Sequence, residues 1–220
     1  MVRQSYYLSV GVMDLDTLWS HIHAERRSLA ATLAGLSAAE WQTESLCPGW
    51  TVKDVAAHVI SNPQIGWRAM PGMTLRNLGR GYNAMIFREV RRLSAARSPD
   101  EVLADFTTYA DSRRHVPVTT TVEPLIDALV HHQDIVRPLG LSHTMDPEAA
   151  SLAADRVRRL AFLMGTRKVV RSVRMEATDV DWVRGSGPTV RGPMQELLMV
   201  CAGRARVATG LSGEGLALVG

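Results

Sequence analysis

Asp127 and His131 stand four residues apart in the run DALVHHQD. On an α-helix, positions i and i+4 share one face, one turn apart. A carboxylate oxygen and an imidazole nitrogen from this pair can therefore meet one cation. His58, in DVAAHVI, lies among apolar neighbours on a different helical segment and can bring a second imidazole. Two imidazoles and one carboxylate leave a divalent ion with open positions, the arrangement of a catalytic metal site rather than a closed structural one. A hydrogen-bonded core histidine is the ordinary alternative at His58, and spacing alone leaves both readings open. His132 lies about 100° round the helix from His131, so the two cannot face one ion. Asp134 either orients an imidazole or pairs with Arg137 at i+3, and spacing favours the ion pair.

These residues need helices to hold them. Apolar positions at three- and four-residue steps run through Leu15, Leu18, Trp19, Ile22, Leu29 and Leu33, and Gly35 ends that helix. A second helix opens at Thr51, an N-cap with Asp54 three residues on, and meets Pro63 at or near its end. A third is expected from about Thr74 to Ala96. Ser98-Pro99-Asp100-Glu101 restarts the chain as a cap, a first-turn proline and two acids. A last bundle helix runs from about Glu123 to Leu139, stopping at Gly140. Such helices predict an up-and-down four-helix bundle.

After Asp146-Pro147-Glu148 one more helix reaches about Met164, and then the period changes. Val169 to Ala177 alternates like a strand, two short strand candidates follow around a GSGP turn at 185–188, residues from Met194 to about Val207 are helical, and LSGEGLALV closes as a small strand. The expected fold class is therefore α+β, mostly α: a bundle over residues 1–145 and a small α+β domain over 146–220.

Composition narrows the function. Among 220 residues, 25 Lys+Arg against 22 Asp+Glu leave a net charge of only +3, too small and too dispersed for a nucleic-acid surface. Cys47 and Cys201 lie far apart, with no CxxC, which argues against a disulfide framework and a thiolate zinc finger. The opening MVRQSYYLSV is not a convincing signal peptide, and no stretch approaches a membrane span. The expectation is a cytoplasmic protein without membrane or nucleic-acid partners. Cys47, in LCPGW, reads as part of a shaped turn, Trp41 and Trp50 as packing, and the amides after Arg191-Gly192-Pro193 as a plain strand-to-helix turn.

Three runs, ESLCPGWTVKDVAAHV, DALVHHQDIVRPLG and ATDVDWVRGSGPTVRGPMQELLMVCAGR, resemble the mycothiol-dependent maleylpyruvate isomerase family, whose amino-terminal domain is a DinB-like metal-binding bundle. The resemblance implies a divalent metal, usually zinc, on a histidine of the second helix and an acid-xxx-histidine pair of the last bundle helix. Those positions match His58, Asp127 and His131. The family's isomerase carries glutamate where this chain has Asp127, one methylene shorter. The resemblance also implies a catalytic arginine in the carboxy-terminal domain, one that would hold a substrate carboxylate by a bidentate pair; Arg204 is the first match and Arg206 the second, although either suits a cation at a helix C-terminus equally. Mycothiol as thiol cofactor, a small electrophile as substrate, and isomerase or S-transferase chemistry follow from the same resemblance. The same three ligands also allow a zinc-dependent hydrolase, and a non-catalytic metal- or thiol-binding module is the alternative outside enzymes.

Overall fold

The computed structural model describes residues 13–220, so the expectation about the first ten residues lies outside them. By contacts the chain divides into residues 1–128 and 129–220, a division that falls within one helix.

In the first unit, α1 (Leu15–Ala34) starts at Asp14, whose side chain accepts from the amides of Asp16 and Thr17. That satisfies donors that a helix N-terminus otherwise leaves without partners. Its stripe of Leu18, Trp19, Ile22, Leu29 and Leu33 is buried. α2 (Val52–Ser61) opens on a complete capping box of Thr51 and Asp54. Asp54 also accepts from Arg91 Nη1 at 2.8 Å, which ties the start of α2 to α4 (Tyr82–Ala95). Val52, Val55, Ala56, Val59 and Ile60 are all within 1% of full burial, so this short helix is held mainly by its packed face. It ends where Pro63 enters a 3₁₀ turn over Asn62–Gln64.

The helix expected over 74–96 is in fact two. α3 (Met70–Arg76) stops and α4 begins at Tyr82. Gly79 adopts φ +76° between them, a conformation available to glycine at little cost. The side-chain amide of Asn77 donates to the Met73 carbonyl and to Glu89 Oε1, each at 2.8 Å, and pins the break. α5 (Pro99–Tyr109) has the capping box that its sequence announces, Ser98 with Glu101. α6 (Glu123–Val136) then runs unbroken through the division between the units. It stops earlier than expected, in a turn where Gly140 takes φ +67°.

In the second unit, α7 (Pro147–Arg159) is capped by Asp146 and packs on α9 (Met194–Cys201). Three short strands, β1 (Arg174–Ala177), β2 (Val183–Gly185) and β3 (Thr189–Gly192), form a sheet in the order β2-β1-β3. β1 pairs antiparallel with β2 and parallel with β3. The GSGP segment is therefore not a hairpin turn: it carries the chain across the start of β1. It passes so close to that backbone that a Cβ on Gly185 would stand 2.3 Å from the Val173 carbonyl oxygen. The expected strand over 169–177 is corrected in its first half, where α8 (Arg167–Ser172) precedes β1. The closing strand is corrected too: residues Glu214–Leu218 form a 3₁₀ helix, with only an isolated bridge between Arg191 and Ser212. α7 and α9 end sooner than expected, at Arg159 and Cys201. Trp182 fills this core and donates from Nε1 to Asp155 of α7 at 3.1 Å.

Among the described residues the chain is mostly helical with one three-stranded sheet, an α+β fold. The four-helix up-and-down arrangement and a folding boundary at 145/146 are our proposals. A cut at 145/146 falls before the Asp146 cap and keeps α6 whole.

Candidate metal centre

His58 is half-buried on α2, with its ring centroid 5.4 Å from that of the buried Trp50. One turn further on, Asn62 is buried at the end of α2 and donates from Nδ2 to Asp127 Oδ2 at 2.5 Å. One carboxylate oxygen of Asp127 is thereby fixed by an uncharged donor. Oδ1 accepts no hydrogen bond among the described residues. α6 carries His131 one turn beyond Asp127. One ligand atom from each of His58, Asp127 and His131 lies within 4.8 Å of the others. Zinc bonded at about 2.0–2.2 Å in tetrahedral geometry holds its ligand atoms roughly 3.4 Å apart. Two imidazoles and a carboxylate at these separations fit such an ion with side-chain adjustment alone.

His131 is oriented from behind. Its Nδ1 donates to Asp134 Oδ2 at 2.8 Å, so Nε2 is the ring nitrogen that could face a cation. Asp134 also accepts from Arg204, from Nη2 at 2.7 Å and Nε at 3.1 Å, a bidentate fork. Burial pushes the Asp134 carboxyl upward, but the His131 hydrogen bond and the Arg204 charge outweigh it and hold the group far below the usual carboxylate range. The preferred pairing of Asp134 with Arg137 is thus corrected. Arg137 instead forks onto Glu196, with Nη2 at 2.7 Å and Nη1 at 3.1 Å, and donates to the Val207 carbonyl. A buried carboxylate takes the donors that reach it, and Arg137 is engaged elsewhere.

Asp134 thus links Arg204 to His131. Arg204 also donates from Nη1 to the Ala202 carbonyl at the end of α9, at 2.5 Å, so the helix-terminus reading of this arginine holds alongside. Arg206 is exposed and makes no hydrogen bond or ion pair among the described residues. His132 is buried and its ring stacks on His143 at 3.7 Å between centroids. Cys47 lies buried in a turn, where its amide donates to Ser45 Oγ at 3.1 Å.

Two participants escaped the sequence. Asn62 follows His58 by four residues, a same-face spacing visible in hindsight. Arg26 occupies the apolar stripe of α1 between Ile22 and Leu29 and is 1% exposed. Its Nη1 donates to the Ser112 carbonyl at 3.0 Å. Burial lowers its pKa to about 10, and the charge of Asp127 pulls the other way.

Residues 22–123 match the family described as mycothiol maleylpyruvate isomerase N-terminal domain. His58 falls inside the match; Asp127 and His131 fall just beyond it. No curated protein sequence matches the chain. Among solved structures, the chain is similar to a crystal structure of the mycothiol-dependent maleylpyruvate isomerase, at 13% identity and TM-score 0.60 over 92% of this chain and 93% of that one. A histidine-to-alanine mutant of that isomerase is similar at 12% identity, the same TM-score of 0.60 and the same coverage. At such identities the likeness is one of fold.

Proposed function

We propose, from the match of residues 22–123 to the mycothiol maleylpyruvate isomerase N-terminal domain family, that the protein is a divalent-metal enzyme, zinc being the metal of choice. Its thiol cofactor is mycothiol, and its reaction is isomerisation or S-transfer on a small electrophile of the maleylpyruvate type. The grouping of His58, Asp127 and His131 within 4.8 Å carries this reading. A free thiol has a pKa near 8.5 and is mostly protonated at neutral pH. A bound zinc ion supplies the missing factor by stabilising the thiolate.

The chain's own groups do the rest. His131 presents Nε2 because Asp134 holds Nδ1. Asn62 orients the Asp127 carboxylate and occupies one of its oxygens. Arg204 keeps Asp134 ionised and in place. With its fork spent on Asp134, Arg204 supports a ligand rather than gripping substrate. The electrophile is a small molecule, and the reading places the reaction in the cytoplasm. No helix among the described residues is long and apolar enough to cross a membrane.

The test is zinc content of the purified protein and of H58A, followed by turnover of maleylpyruvate with and without mycothiol. The reading requires zinc near one equivalent, lost in H58A, and turnover only with thiol. Zinc without thiol dependence would leave a metal hydrolase or a binding module in its place.

A further inference from the structure

The first unit contains a pocket whose lining includes none of the three candidate metal ligands. Gly66 and Trp67, beyond the end of α2, and Arg113, Arg114 and His115, between α5 and α6, line a pocket of about 360 Å³ with Ile65 and Pro117 as its apolar walls. That volume suits a small ligand. Its charge is one-sided. Arg26, Arg27, Arg113 and Arg114 gather on this side of the unit, where Arg26 donates to the Ser112 carbonyl. Asp111 pairs with Arg27 at 2.6 Å and Asp16 with Arg113 at 2.6 Å, and Asp127 acts on the buried Arg26. The guanidinium of Arg114 has no acceptor among the described residues.

The frame around it is held firmly. The buried Arg26 pins Ser112, directly before the lining residues. His115 is fixed from two sides: Nδ1 donates to the Val116 carbonyl at 3.0 Å, and the ring stacks on the buried Trp19 at 6.5 Å between centroids. Arg114 Nη2 lies 3.3 Å from where a Cβ on Gly66 would stand, so the bare glycine leaves that guanidinium its place. Trp67 is 69% exposed, an unusual position for so large an apolar ring, and it supplies a flat wall.

A planar anion satisfies every one of these features. We propose that this pocket binds a small planar carboxylate, an aromatic or conjugated acid, whose carboxylate pairs with the Arg114 fork while its flat body packs on the Trp67 indole. A spherical anion would leave the indole unused, and a neutral planar molecule would leave Arg114 without a partner. The site requires neither the metal nor the thiol.

Benzoate is the probe and benzamide its neutral counterpart, titrated into the full chain by NMR with the Trp67 indole N–H and the Arg114 Nε–H as reporters. Both reporters shift with benzoate and stay still with benzamide. R114Q raises the benzoate Kd by roughly tenfold, the loss of one charge-assisted fork. W67A raises it by several-fold, as expected for a lost stacking wall. Both side chains are exposed, so folding is preserved, and thermal unfolding and zinc content should match the wild type. Equal binding of benzamide, an R114Q affinity like the wild type, or inorganic phosphate binding as tightly as benzoate would each overturn the assignment. Because H58A leaves the pocket intact, its benzoate affinity stays unchanged even where its zinc is lost, which separates this inference from the metal reading.

Discussion

Asp134 offers the sharpest test of the metal centre. It touches no metal in the proposed arrangement, yet it holds both His131 and Arg204. Replacing it by asparagine keeps the volume and removes the charge. One oxygen becomes an NH₂ donor that must face either the Nδ1–H of His131 or the fork of Arg204, both of which are donors. Losing a carboxylate that orients a ligating histidine typically costs 10–100-fold in metal affinity, or about 1.4–2.7 kcal/mol. The fold suffers as well, because Arg204, with its side chain 20% exposed, loses its counter-charge. Breaking a buried pair costs about 3–5 kcal/mol. Partial exposure lets the guanidinium reach water, so a loss near 2–3 kcal/mol is expected. Zinc competition against a chromophoric chelator gives the first number, and urea unfolding of the metal-free protein gives the second. A D134N affinity within twofold of the wild type, measured where H58A abolishes binding, would refute the orienting role.

Other consequences can be measured independently. Glu89 accepts from Arg76, Asn77 and Arg92, and these bonds, with Arg76 foremost, hold its pKa down to about 2 against partial desolvation. A depressed carboxylate stabilises the fold above its unfolded pKa and stops doing so as pH falls from about 4.5 towards 2. E89Q should remove about 1–2 kcal/mol near neutral pH, screened by its half-exposed arginines, and flatten the acid limb of urea-unfolding stability plotted against pH. Burial raises the Cys201 thiol to about 12, so a thiol reagent should label Cys201 only after denaturant is added, as peptide mapping would show. Gly185 has φ +84° and no room for a Cβ beside the Val173 carbonyl, so G185A should cost at least about 2 kcal/mol by thermal or urea unfolding. A G185A protein as stable as the parent would contradict the crossing of residues 185–188 over β1.

Local chemistry announced most of the helices. Ser98 and Thr51 cap because their side chains reach amides three residues on, and Asp146 does the same, so these starts were visible without tertiary context. The ends were less legible. The division of the helix expected over 74–96 depends on Gly79, and on Asn77 reaching Glu89 on the following helix. The sheet was misread for a related reason. Alternation marks a strand but says nothing about its neighbour, and β3 lies parallel to β1 although β2 precedes it.

The same contrast runs through the candidate site. Sequence alone determined that Asp127 and His131 share a helix face, because 3.6 residues per turn brings i and i+4 together whatever surrounds them. It also placed His58 on another helix with an apolar face. Tertiary structure alone decided the partners. Asp134 turns to His131 and Arg204 rather than Arg137, and Asn62 clasps Asp127 across 65 residues of chain. A buried carboxylate is satisfied by whichever donors the packing brings within reach, and the order of residues along the chain does not encode that distance.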